Sequence, residues 1–231
     1  MDFKHKTKSR QWTNKEEQTA YKYYKQGYTL TEIANRLNRS PTSIKNKIRR
    51  LKKKRGVNNY DQDHTIDKHL TNQRFIRHIQ PYSILDVFNA GNTQYNHIPV
   101  HITNDIDTRF KTTYHLDAMD LLLQEQDKKN KYDIVDLDPY GAVLKYLPYA
   151  LPLTRKAIIL TYGELLHKQY KRTDTVQQYG ITTPEQLNLE NLIKITIHLA
   201  IQNGVKIKPV IIKDYKYIGR VYYEIRENKN K

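Results

Sequence analysis

Apolar residues recur along this chain with two periods. Between Arg10 and Arg55 they keep helical spacing. A first segment follows Trp12-Thr13, carries Ala20, Tyr21 and Tyr24 on one side, and is expected to stop at Gly27. Leu30, Ile33, Ala34 and Leu37 form a second stripe, and Thr29 with Glu32 three residues later is the pattern of a capping box. Ile44, Ile48 and Leu51 form a third, opened by Ser40-Pro41, an N-cap followed by proline in the first turn. From Gly56 to about Thr65 there are turn formers and no period. The expected division is therefore residues 1–56, a linker over 57–66, and a body over 67–231.

In the body, helix-like and strand-like segments alternate. Helices are predicted over Asp67–Ile79, from Ala118, over Ala142–Leu151 and over Leu189–Asn203, the last closed by Gly204. Strands are predicted over Ser83–Phe88, Val100–Asp105, Thr113–Leu116, Tyr132–Leu137 and Lys156–Tyr162. Two final strands, Lys206–Lys213 and Arg220–Arg226, are close enough to pair. The pattern implies an α/β fold: an open, mostly parallel sheet with helices on both faces and a C-terminal antiparallel hairpin, preceded by a small all-α domain. Ligands of such sheets sit at the carboxyl ends of the strands, near the topological switch point.

Composition narrows the chemistry. Hydrophobic residues make up 38% and charged residues 28%, yet 19 Tyr and 4 Phe suffice for a core and argue against wholesale disorder. The absence of cysteine excludes disulfides, cysteine-bound zinc and a thiolate nucleophile, and with it methylation at cytosine C5. No apolar run approaches the roughly 20 residues that span a bilayer, and MDFKHKTKSR lacks the apolar centre of a signal peptide. A soluble, cytoplasmic protein without a membrane partner or metal is expected. Of the net charge of +16, residues 1–56 hold +13, with 17 Lys and Arg against 4 Asp and Glu. Such asymmetry points to a polyanion, nucleic acid above all.

On the third stripe, 100° per residue turns Thr42, Asn46, Arg49 and Lys53 away from Ile44 and Leu51, with Lys45, Arg50 and Lys52 beside them. Two short helices joined by a tight turn, the second basic, can lay that second helix in the major groove of B-DNA. Asn46 and Arg49 would then approach base edges, with Thr42, Lys45, Arg50 and Lys53 completing the nucleic-acid-binding set. The run RQWTNKEE…GYTLTEIANRLNRSPTSIKNKI resembles Myb-like and related helix-turn-helix domains of bacterial and phage regulators, over about 45 residues. The alternative is a three-helix module that binds protein or packs on the body. Duplex DNA is the favoured partner, because the A-form RNA major groove is too narrow for a recognition helix, and tRNA stays open.

At the strand ends lie the candidate site residues. Asp86-Val-Phe-Asn-Ala-Gly-Asn92 leaves the first strand through a turn in which Gly91 permits close backbone approach. Asp105 follows Asp86 by 19 residues, a spacing that suits a carboxylate on two ribose hydroxyls. Asp117 closes the next strand, where it can meet an adenine amino group. One glycine in place of three argues for a nucleoside ligand without phosphates, such as S-adenosylmethionine. Asp136-Leu-Asp138-Pro139-Tyr140-Gly141 follows a buried apolar strand. An acidic side chain and a proline carbonyl can accept hydrogen bonds from an exocyclic amine, and Tyr140 can stack on its base. Each Asp also has a plainer reading as a strand-end turn residue.

In order, ILDVFNAGNTQY, ITNDID, HLDAMDLL and DIVDLDPYG resemble the motifs of the tRNA guanine-N2 dimethyltransferases, as do QYG at Tyr179-Gly180 and VKIKPVIIKDYKYIGRVYYEI. The similarity spans most of residues 74–226. It implies a Rossmann-like class I methyltransferase sheet and S-adenosylmethionine as cofactor. It further implies a cofactor site at Asp86, Phe88, Gly91, Asp105, Ile106, Asp117 and Ala118, with Asp138, Pro139 and Tyr140 as the catalytic segment. The expected function is methylation of a base amino group in nucleic acid, DNA first and tRNA second. A DNA-binding regulator on a degenerate methyltransferase fold is the rival.

Overall fold

The computed structural model describes residues 11–25, 28–54, 62–170, 172–215 and 217–226. The chain divides into two compact units, residues 1–64 and 65–231. The stop expected at Gly27, and residues 57–61 of the expected linker, lie outside the described residues.

In the first unit, α1 (Asn14–Lys25), α2 (Leu30–Leu37) and α3 (Pro41–Lys54) enclose Ala20, Ile33, Ala34, Ile44 and Ile48. Thr29 caps α2 in both directions: its backbone N–H donates to Glu32 Oε2 (2.7 Å) and its Oγ1 accepts from Glu32 N (3.2 Å). Thr13 and Glu16 repeat the device at α1, at 2.9 and 3.2 Å. Asn38, in the left-handed region at φ 49°, ends α2 and turns the chain towards Ser40, whose Oγ accepts from Ser43 N at the head of α3.

The second unit is a six-stranded sheet. Its strands are β1 (Ser83–Asp86), β2 (Val100–Thr103), β3 (Tyr132–Leu137), β4 (Thr154–Tyr162), β5 (Lys206–Asp214) and β6 (Gly219–Arg226). The order is β2-β1-β3-β4-β6-β5, with the first four parallel and β6 antiparallel to both neighbours. Period-two alternation sorts side chains onto two faces. Ile84, Ile134, Ile159 and Tyr222 meet Phe75 and Ile76 of α4 (Gln62–Ile79) on one side. Leu85, Val135, Ile158, Leu160 and Tyr223 meet α5 (Ala118–Asp127), α6 (Leu147–Ala150) and α7 (Leu189–Gln202) on the other. Strand order reverses between β1 and β3, where Asp86 and Asp136 are register partners.

Three expectations need correction. Thr113–Leu116 is not a strand: Tyr114 makes one parallel bridge to Asn104. Side chains satisfy the backbone groups that a ladder would use. Thr103 Oγ1 accepts from Thr113 N and Thr113 Oγ1 from Thr103 N, while the Asn104 amide bonds both N and O of Leu116. Ala142–Leu151 is not one helix but a 3-10 turn over Leu144–Tyr146, the single turn α6, and a second 3-10 turn over Leu151–Leu153, because Pro148 and Pro152 each remove a backbone donor. The helix expected from Asp67 begins at Gln62, so 62–66 are helical, in a stretch without apolar period.

Candidate functional site

The sheet's switch point gathers the expected residues at the ends of β1, β2 and β3. Asp86 is buried, and its Oδ2 accepts from Asn89 Nδ2 (2.9 Å). The loop beyond it passes through two left-handed residues, Ala90 (φ 47°) and Gly91 (φ 71°). The Ala90 N–H donates to Asp105 Oδ2 (2.9 Å), and the Asp107 N–H donates to Asp105 Oδ1 (2.8 Å). Asp105 thus fastens the β1 loop to the end of β2, and each oxygen keeps a further lone pair for a hydroxyl donor. A Cβ on Gly91 would lie 2.9 Å from the Phe110 ring, so the glycine is required by its φ and by Phe110.

Asp117 is the N-cap of α5, accepting from Met119 N (2.8 Å). Ala118 is buried, Phe88 is half-buried and meets Tyr146 edge-on at 5.3 Å, and Ile106 is 70% exposed. Asn104 was not singled out by its sequence context. It is buried, its N–H donates to Asp86 O (3.0 Å), and its Nδ2 donates to Val87 O and Leu116 O (3.2 and 3.1 Å). One side chain therefore ties together the segments that carry Asp86, Asp105 and Asp117.

Beyond β3 the chain enters a charged cluster on the α4 face. Asp136 and Asp138 are two residues apart and share that face. Arg220 of β6 is fully buried between them: Nη2 lies 2.7 Å from Asp136 Oδ2, Nη1 3.8 Å from Asp138 Oδ1. Its other bonds reach Thr161 Oγ1 (2.5 Å), Asn72 Oδ1 (3.2 and 3.3 Å) and Tyr222 OH (3.2 Å). Tyr95 OH donates to Asp136 Oδ2 (2.6 Å). Lys68 of α4 pairs directly with Asp138 Oδ2, and each of the two side chains is 26% exposed.

Burial raises the Asp138 pKa, but Lys68 and then Arg220 outweigh it and hold the carboxyl at about 2. For Asp136 burial prevails over Arg220, helped by Asp86 and Asp138, and the pKa is raised. Pro139 is buried and the Tyr140 side chain is 91% exposed. Lys68, Asn72, Tyr95 and Arg220 were all missed by sequence reasoning, since each lies tens of residues from the Asp-Pro-Tyr-Gly run.

Below that run, the end of β4 supports it. A Cβ on Gly163 would lie 2.3 Å from the Gly141 carbonyl oxygen, so only glycine fits. Glu164 is fully buried, and its Oε1 accepts from Val143 N (2.7 Å) and Leu144 N (3.0 Å).

In the first unit, Thr42, Lys45, Asn46, Arg49 and Arg50 are exposed on α3, and none forms an ion pair or side-chain hydrogen bond among the described residues. The Lys53 side chain lies outside those described. Other basic groups are engaged within the unit. Arg39 stacks on Trp12 (4.1 Å) and bonds Glu16 (3.0 Å), Lys47 pairs with Glu17 (2.6 Å), and Arg36 covers Tyr28 (4.5 Å).

Residues 8–51 match the family model described as a helix-turn-helix domain. No curated protein sequence matches the chain significantly. Among solved structures the chain is similar to Trm1 from Pyrococcus horikoshii in complex with S-adenosyl-L-methionine, with a TM-score of 0.58 at 15% identity, covering 73% of this chain and 56% of that one. A Streptococcus mutans protein, assigned by inference as a SAM-dependent methyltransferase, aligns with a TM-score of 0.44 at 10% identity, over 62% of this chain and 44% of that one. The chain thus spans little more than half the length of Trm1. The likeness to Trm1 shows the fold of the second unit, a six-stranded mixed sheet with helices on both faces, and residues 8–51 carry the helix-turn-helix match.

Proposed function

We propose that the chain methylates a base amino group in nucleic acid with S-adenosylmethionine, and that α3 docks it on duplex DNA. The observation that carries the reading is Asp138: a carboxylate at the carboxyl end of a sheet strand, kept ionised by Lys68 and Arg220, beside an exposed Tyr140 ring. The donor set at the neighbouring strand ends fits the cofactor. Asp105 retains lone pairs suited to ribose hydroxyls, Asp117 leaves one oxygen unused by its cap, and the β1 loop has a single glycine where a phosphate cradle would need more.

When bound, S-adenosylmethionine supplies an electrophilic methyl group on a sulfonium sulfur. The residues do the rest. Asp138 accepts an N–H of the target amine, the Pro139 carbonyl takes the second, and together they favour a more tetrahedral nitrogen with its lone pair free to attack. Asp138 draws the amine proton as the nitrogen becomes cationic, and its partly exposed carboxyl passes that proton on to solvent. Tyr140 stacks on the extruded base, since an amine within a duplex is reached by flipping.

The test is transfer of a tritiated methyl group to duplex DNA and to tRNA, followed by nucleoside analysis. Asp138→Ala is expected to lose most turnover with cofactor affinity within about threefold of wild type, the mark of an interaction made in the transition state. A folded Asp138→Ala protein with the wild-type rate refutes the assignment.

One observation favours a second reading, a DNA-binding regulator on a degenerate fold. Both Asp105 oxygens already accept backbone N–H groups, from Ala90 and Asp107. Calorimetry with S-adenosylmethionine separates the two readings: no binding at neutral pH selects the regulator.

A further inference from the structure

Glu164 is a buried carboxyl that the proposed reaction does not use. It follows directly on β4, and nothing in its sequence context announces it. Its Oε1 takes the N–H groups of Val143 and Leu144, two and three residues beyond Gly141. Its Oε2 is buried without a hydrogen-bond partner. Beside it Gly163 packs on Gly141 so closely that no side chain fits. The end of β4 therefore holds the Asp138–Gly141 turn at two points, a backbone contact and a carboxylate clamp. Tyr162 of β4 and Tyr179 of the 177–179 turn are the titratable groups whose charge couples to Glu164, and no cation pairs with it among the described residues.

We infer that Glu164 is a positioning residue for methyl transfer, its Oε1 setting the Asp138–Gly141 turn from below by holding the Val143 and Leu144 amides. The inference rests on the reading of Asp138 as the group that accepts the target amine. It also brings regulation by protons. Burial pushes the Glu164 carboxyl up to about 7, the three backbone N–H groups that would lower it notwithstanding. An ionised acceptor makes the stronger hydrogen bond, so the clamp tightens as the proton leaves. Oε2, which has no partner, is where that proton sits.

Two variants of the full chain test this. Glu164→Gln keeps an acceptor oxygen and cannot titrate, while Glu164→Ala removes the clamp. Hydrogen exchange at the Val143 and Leu144 amides reads the turn directly. Tritiated methyl transfer to duplex DNA and to tRNA reads turnover, and calorimetry with S-adenosylmethionine reads the cofactor.

In Glu164→Ala, exchange at both amides is expected to rise and kcat to fall, each roughly tenfold or more, with cofactor affinity within about threefold. Glu164→Gln, which keeps a neutral acceptor, should restore both to about the level that wild type shows near pH 6, where its carboxyl is protonated. The wild-type kcat should climb between about pH 6 and 8, and the Glu164→Gln profile should lack that climb. A folded Glu164→Ala protein with unchanged exchange and kcat overturns the inference, as does a Glu164→Gln protein as impaired as Glu164→Ala. Should Glu164→Ala not fold, the Glu164→Gln pH profile decides alone, and a climb identical to wild type refutes the role. If wild type transfers no methyl group to either nucleic acid, the catalytic reading fails, while the exchange measurement still decides whether Glu164 clamps the turn.

Discussion

Arg220→Met should destabilise the second unit by about 3–5 kcal/mol, the range for removing one partner of a buried ion pair. Arg220 is 1% exposed, as is its side chain against Asp136 at 2.7 Å. Methionine fills much of the space without replacing the charge, so the cost is mainly that of stranding Asp136. For a unit of this size about 1 kcal/mol moves Tm by roughly 2–4 °C, which places the expected fall at about 6–20 °C. The effect must also depend on pH. Arg220 is the main influence lowering the Asp136 pKa, whereas burial, Asp86 and Asp138 all raise it. Without the guanidinium the folded state binds a proton at Asp136 more tightly than the unfolded chain does. Asp136 is already raised in wild type, so stability relative to wild type falls only as pH rises through that raised value towards the still higher one of the variant, and the deficit is larger at pH 8 than at pH 5. The assay is thermal unfolding of the full chain by near-ultraviolet circular dichroism, at both pH values, for Arg220→Met and for Arg220→Met with Asp136→Asn. The double variant carries no stranded charge, and its amide oxygen still accepts from Tyr95, so it should recover part of the loss. A deficit below about 1 kcal/mol, equal deficits at the two pH values, or a double variant no better than the single would each show that Asp136 is not held as an ion by Arg220.

Gly163→Ala places a methyl group 2.3 Å from the Gly141 carbonyl oxygen, so the turn must move; turnover should drop while cofactor affinity, measured by calorimetry, holds. Asp105→Ala should weaken S-adenosylmethionine binding by about 1.5–3 kcal/mol, the scale of charged hydrogen bonds, and unchanged affinity would reduce Asp105 to a loop fastener. In the full chain, Arg49→Ala should weaken duplex DNA binding, Asn46→Ala should relax sequence preference, and Lys45→Ala should lower the slope of log K against log salt by about one; titrations of several sequences at several salt concentrations check all three.

Features set by neighbours in sequence were legible, and features set by the tertiary fold were not. Thr29 with Glu32, Ser40 with Pro41 and the Ile44–Ile48–Leu51 stripe each complete their physics within a turn or two, and the helices stand where those signals put them. Tyr132–Leu137 was recognisable because four of its six residues are apolar, as suits a strand buried on both faces. Thr113–Leu116 looked like the same kind of segment, but at the sheet's edge Thr103, Thr113 and Asn104 could satisfy its backbone more cheaply than a ladder. Asp138 was visible through its Asp-Pro-Tyr-Gly context. Its cations were not, since Lys68 and Arg220 stand far before and after it and look like ordinary basic positions. Of the basic residues in the first unit, composition could not separate Arg39 and Lys47, which are bound to Trp12, Glu16 and Glu17, from Arg49 and Arg50, which are exposed.

The charge arrangement around Asp138 follows from strand alternation. Residues two apart on a strand face the same way, so Asp136 and Asp138 were bound to meet on the α4 side, and two carboxylates so close resist ionising together. Asp136, fully enclosed, takes the buried arginine and has its pKa raised; Asp138, a quarter exposed, takes Lys68 and has its pKa lowered to about 2. The pair is thereby split into a structural member and an accessible acceptor. This split suits the amine chemistry we propose. A protonated Asp138 would present a donor to an N–H, whereas the ionised form presents acceptors only. Lys68 holds that state from the rim of the cluster, where a partly exposed side chain can yield its partner to the amine of the proposed substrate. Arg220 cannot, because it is committed to Asp136, Asn72, Thr161 and Tyr222 at once. Arg220 thus fixes where the two carboxylates lie, and Lys68 decides whether the outer one is engaged.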